Sequence, residues 1–150
     1  MADLRELYQD VILEHSKAPR NYGALPAANH HAEGYNPVCG DHFTVYAVVE
    51  EGTIREISFQ GAGCAISKAS ASMMTQSVKG KTVGEAQKIF ERFHGMVTGH
   101  APGNNGSPEL GKLAVFSGVC EFPVRIKCAT LAWHTLQAAL EDKGEPVSTE

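Results

Sequence analysis

The sequence contains no C-x-x-C pair, no run of apolar residues long enough to cross a membrane and no clustered basic stretch. The first absence excludes ribbon-type and finger-type zinc motifs, whose ligands come in such pairs, so any metal site has to be assembled by tertiary structure. The second excludes a transmembrane helix, which needs roughly eighteen or more consecutive apolar residues. Polar residues follow Met1-Ala2-Asp3-Leu4 without the apolar segment of a secretory signal, so a soluble, cytoplasmic protein is expected. The third removes the electrostatic footprint of nucleic-acid binding, and a net charge of −4 is too mild to single out a partner. Neither a nucleic acid nor a membrane is expected as partner. Internal repeats and low-complexity segments are also missing. The 150 residues, 43% of them hydrophobic, are enough for one core, and a single domain over residues 1–150 is expected.

What is there reads as alternating local patterns. Asp3 and Glu6 form a capping-box pattern, and Leu4, Leu7, Tyr8, Val11 and Ile12 keep helical spacing, which predicts a helix to about Lys17. Pro19, Asn21, Gly23 and Pro26 end it, and a polar loop through His30-His31 leads towards a short strand before Pro37. Phe43, Val45, Ala47 and Val49 alternate with polar neighbours, and Ile57 and Phe59 resume the alternation beyond Glu51-Gly52, the pattern of a β-hairpin. Gly61 and Gly63 bracket a turn into Cys64, which opens a helix carrying Ile66, Ala69, Ser70, Met73, Met74 and Val78. Thr82 and Glu85 make a second capping box, starting a helix that ends near Gly95. Residues 98–108 have loop composition, and Leu110, Leu113 and Phe116 suggest a short helix. Pro123 takes the first turn of a last helix, with Cys128, Leu131, Ala132, Thr135, Leu136 and Ala139 as its buried stripe. The fold class is therefore α+β, a small antiparallel sheet packed against several helices.

The chemistry centres on Asn36-Pro37-Val38-Cys39-Gly40-Asp41, a tight turn that sets a thiol beside a carboxylate. Without a secretory signal the four cysteines argue for metal binding or a reactive thiol rather than disulfides. Cys39 lies where no apolar periodicity calls for a small buried side chain. Cys64 follows glycines that permit close backbone approach, at a helix N-terminus whose dipole favours a thiolate. Cys128, taken alone, reads as a core cysteine; Arg125 and Lys127 beside it can favour its thiolate. Cys120 reads as packing. His42 adjoins Asp41, but strand alternation turns it to the opposite face. Cys39, Asp41, Cys64 and Cys128 together offer three sulfurs and one oxygen, a set suited to zinc or an iron–sulfur cluster. A zinc deaminase is excluded: His31-Ala32-Glu33 and Cys39 match part of its H-x-E…P-C-x-x-C signature, but position 42, where the second cysteine belongs, is His.

These residues carry a resemblance. Tyr8 to His15 with Pro19-Arg20-Asn21-Tyr22-Gly23, then Asn36 to Asp41, Gly61-Ala62-Gly63-Cys64-Ala65-Ile66-Ser67, and Arg125 to Trp133 resemble the IscU/SufU family of iron–sulfur cluster assembly proteins, over nearly the whole chain. Three features resemble its SufU branch rather than IscU: Lys127 stands where IscU-type scaffolds have histidine, Phe122 to Lys127 replaces their Leu-Pro-Pro-Val-Lys motif, and residues from about 96 to 113 resemble a SufU insertion. The resemblance implies metal ligands at Cys39, Asp41, Cys64 and Cys128, and Cys39 as sulfur acceptor. It implies a zinc-dependent sulfur carrier, at most a sulfurtransferase, that takes persulfide sulfur from a SufS-type cysteine desulfurase and passes it to a SufBCD scaffold. The alternatives left open are an IscU-like scaffold holding iron or a [2Fe–2S] cluster at the same ligands, and a structural zinc module whose surface binds partners.

Overall fold

The computed structural model describes residues 4–37, 40–99, 113–116, 119, 123–141 and 147–148. Its elements are α1 (Leu4–Lys17), β1 (His30–Asn36), β2 (Asp41–Glu50), β3 (Thr53–Ala62), α2 (Ala65–Val78), α3 (Val83–Thr98), α4 (Pro123–Leu140) and β4 (Val147–Ser148). The expected α+β class is what forms. β1, β2 and β3 make an antiparallel sheet, and β4 adds two residues in parallel to β1, giving the order β3-β2-β1-β4.

The hairpin between β2 and β3 follows from its turn, where Glu51 (φ 51°) and Gly52 (φ 77°) both adopt the left-handed backbone that a two-residue connection demands. β1 pairs with β2 in a register that sets Asn36 opposite Asp41, while residues 38 and 39 of the turn read from the sequence lie outside the described residues. The segment after α1 is stitched to β3: the Phe59 amide donates to the Asn21 carbonyl (3.1 Å), the Gly23 amide to the Phe59 carbonyl (2.8 Å), and the Tyr22 hydroxyl to the Gly61 carbonyl (2.7 Å). These bonds hold the strand end that leads into Cys64.

α4 is buried on most of its circumference, wider than the stripe read from spacing, because it lies between the sheet and α2 and α3. Small residues make this possible. Gly34 of β1 faces Thr135, leaving no room for a side chain, and the Ser70 hydroxyl of α2 donates to the Ala129 carbonyl. Around Trp133 the core closes with Phe93 stacked at 4.8 Å and Phe90 at 6.0 Å.

Two helix boundaries differ from the sequence reading. α3 does not stop near Gly95 but runs to Thr98, capped by Gly99 at φ 76°. Burial of Met96 and Val97 outweighs the cost of a helical glycine, about 1 kcal/mol. The short helix expected around Leu110 is a single 3₁₀ turn over 113–116, with Leu113 and Phe116 buried; Leu110 itself lies outside the described residues, as does Asp3. Among the described residues no helix is long and apolar enough to cross a membrane.

Candidate metal centre

Three of the four expected ligands come together from distant parts of the chain. Asp41 is the first residue of β2, Cys64 caps the N-terminus of α2, and Cys128 sits in the second turn of α4; one donor atom from each lies within 4.8 Å of the others. Cys39 and Cys120 lie outside the described residues. His42 turns away, as strand alternation requires: it is exposed, stacked on Tyr35 at 4.3 Å and 3.4 Å from the Glu33 carboxylate.

Local structure fixes each donor. Asp41 is only 2% exposed, and its two oxygens accept from the Cys64 amide (2.8 Å) and from Asn36 Nδ2 (3.1 Å). Asn36 is fully buried, and the same Nδ2 lies 3.6 Å from Cys128 Sγ, so one amide orients a carboxylate and a thiol. Cys64 has the extended backbone of an N-cap (φ −72°, ψ 169°), and its sulfur accepts from the Ser67 amide at 3.4 Å. The hydrogen bond with Cys128 is the largest influence on the Cys64 thiol. Burial pushes the other way, the Ser67 hydroxyl and amide add to the lowering, and the Asp41 charge opposes it. The net result is a pKa lowered from 9.0 to about 6.

This donor set fits a soft or borderline cation. A buried carboxylate with two N–H donors and, among the described residues, no ion pair is a costly arrangement unless positive charge joins it. The Asn36 Oδ1 atom, buried without a hydrogen-bond partner among the described residues, shows the pocket is not complete in itself. Arg125 is exposed and Lys127 half-buried.

Sequence reasoning missed three residues of the centre. By sequence Asn36 is only the first residue of the turn, and Ser67 carries no signal beyond its place three positions after Cys64. Gly63 does more than permit close approach: a Cβ there would stand 2.5 Å from Ser67 Oγ and 2.7 Å from Asp41 Oδ1. A hydroxyl three positions after a helix-capping cysteine was the available signal for Ser67.

The family model for the NifU-like N terminal domain matches residues 7–129. The chain is 40% identical over 141 residues to an iron–sulfur cluster assembly scaffold protein IscU of Streptococcus pyogenes, covering 94% of this chain and 87% of that one. It is equally 40% identical over 136 residues to the zinc-dependent sulfurtransferase SufU of Bacillus subtilis, covering 91% and 90%. The crystal structure of FiSufU from Fervidobacterium islandicum AW-1 superposes with a TM-score of 0.82 at 34% identity, over 91% of this chain and 98% of that one.

Proposed function

Because the chain belongs to the IscU/SufU family of iron–sulfur cluster assembly proteins, the NifU-like N-terminal domains, we propose that it is a zinc-dependent sulfur carrier of the SufU kind. On this reading the chain is one cytoplasmic domain with an insertion at about residues 96–113. It accepts sulfur from a SufS-type cysteine desulfurase and delivers it to a SufBCD-type scaffold. The observation that carries it is the convergence of Asp41, Cys64 and Cys128 within 4.8 Å. Cys39, two positions before Asp41, completes the proposed ligand set as a third thiolate.

Zinc, when bound, keeps thiolates deprotonated at neutral pH while masking them. Asp41 would be the hard oxygen ligand among the sulfurs, and the N–H donors from Asn36 and Cys64 hold its carboxylate in place independently of an ion. Cys64 and Cys128 are fixed by helices. Cys39, which lies in sequence between β1 and β2, is proposed as the thiolate that acts as nucleophile. It attacks the outer sulfur of the desulfurase persulfide; the new S–S bond forms as the old one breaks, and the desulfurase cysteine leaves as a thiolate. No oxidant is consumed.

The test is persulfide mapping. After incubation with desulfurase and L-cysteine, trapping with an alkylating reagent should find persulfide on Cys39, and none in Cys39→Ser. Persulfide mainly on Cys128, or undiminished in Cys39→Ser, overturns the assignment. The equally similar relative named as a scaffold supports a second reading, assembly of a [2Fe–2S] cluster at the same ligands. Colourless, zinc-containing protein favours the carrier; brown protein with iron and sulfide favours the scaffold.

A further inference from the structure

On the face where α3 meets α4, about two turns along α4 from Cys128, a cavity of about 310 Å³ is lined by Gln87, Phe90, Glu91, His94, His134 and Gln137. Two imidazoles meet in it. The rings of His94 and His134 stand 5.8 Å apart between centres, at 76° to one another, and Phe90 makes edge-to-face contacts with both (6.0 and 5.2 Å). Phe90 is itself buried against Trp133. Glu91 and His94 are three residues apart on α3, and so share a helix face. Glu-x-x-His at this spacing is how helix bundles present a carboxylate and an imidazole to one ion.

With a metal ~2.1 Å from one nitrogen of each ring, two imidazole centres stand roughly 5–6 Å apart. The observed separation lies in that range. We propose that His94 and His134, with the carboxylate of Glu91, form a second binding site for a divalent transition metal of the zinc, nickel or copper class, independent of the thiolate centre. Imidazole and carboxylate donors suit these ions, and the cavity leaves room for water as remaining ligand. Among the described residues only Asp41, Cys64 and Cys128 have three donors converging within 4.8 Å as they stand, so this second site closes on metal entry. Glu91 and His94 are exposed side chains that can turn inward, while His134 is half-buried and held. Burial, and then the neighbouring His94, lower the pKa of His134, which keeps its imidazole neutral and ready to ligate at pH 7.

The experiment titrates zinc into full-length protein whose thiolate centre is already filled, following heat by calorimetry and total metal by elemental analysis. A second, weaker equivalent is expected. His94→Gln and His134→Gln should each weaken it by at least about tenfold, since losing a ligand costs no less than losing a group that only orients one. Glu91→Gln should weaken it less, and the first equivalent should stay bound in all three variants. His94 is exposed, so His94→Gln decides the question even if His134→Gln folds poorly. A single equivalent in the wild type, or a second one indifferent to His94→Gln, overturns the site. Either result leaves the sulfur-carrier reading untouched, because that is read at Cys39.

Discussion

At Gly63 one missing methyl group decides the geometry of the metal centre. An added Cβ would come to 2.5 Å from Ser67 Oγ, 2.7 Å from Asp41 Oδ1 and 2.9 Å from Phe43 Cζ, and the buried phenyl ring is packed and has little room to yield. The carboxylate and the hydroxyl must move instead. Gly63→Ala should therefore weaken metal binding by at least about tenfold, a loss on the scale of removing a group that orients a ligand, while the far-ultraviolet circular dichroism stays native. Gly84→Ala is the control, because a Cβ there meets nothing nearer than Thr82 Oγ1 at 4.0 Å. Metal content of Gly63→Ala equal to wild type would show that Asp41 has slack. Residue type and local context pointed to Asp41 and Cys64, whereas Cys128, which taken alone reads as a core cysteine, joins them only through the packing of α4. Residue type did not announce Asn36, Ser67 or Gly63, whose roles exist only once the register sets Asn36 opposite Asp41 and the helix cap brings Ser67 to Cys64.

Among the elements, α3 was the most legible at its start and the least at its end. Its capping box forms as read: the Glu85 amide donates to Thr82 Oγ1 at 3.1 Å and the Thr82 amide to Glu85 Oε1 at 3.0 Å. Such caps depend on a few neighbouring residues, which is why spacing finds them. The far end was set by burial of Met96 and Val97, which no local pattern reports. Thr82→Ala should lower unfolding stability by about 1 kcal/mol in denaturant titration. The backbone amide of Thr82, then its side chain, hold the Glu85 carboxyl below its ordinary 4.5. A carboxyl lowered in the folded state contributes stability above its unfolded pKa and loses it as pH falls through the folded one. The deficit of Glu85→Gln should accordingly be present at neutral pH and vanish in acid, below the carboxyl's titration. A deficit that persists there would assign the effect to packing instead.

For the whole molecule, the α+β class and most elements were legible because helices, caps and the hairpin turn are written in short stretches. The parallel β4, the breadth of α4's burial and the histidine pocket between α3 and α4 were not, since each depends on partners far apart in sequence. The same long-range assembly makes the metal centre a structural tie. Its donors come from the start of β2, the cap of α2 and the second turn of α4, so an ion held there links the sheet to two helices in addition to their apolar packing and the few hydrogen bonds between them. An ion bound only by the folded state stabilises it by about 2.7 kcal/mol at a hundredfold excess over its Kd, and for a chain of this size that corresponds to a melting temperature roughly 5–10 °C higher. Stripping the metal with a strong chelator should lower the melting temperature by that much. Hydrogen exchange should quicken at residues 63–68 and 126–130, while the β2–β3 ladder around Val45 and Phe59, fully buried and paired within the sheet, keeps its protection. An unchanged melting temperature after verified metal loss would mean that apolar packing alone completes the fold, leaving the centre a purely chemical role. Uniformly faster exchange, the β2–β3 ladder included, would mean that the ion supports the entire fold rather than its site end.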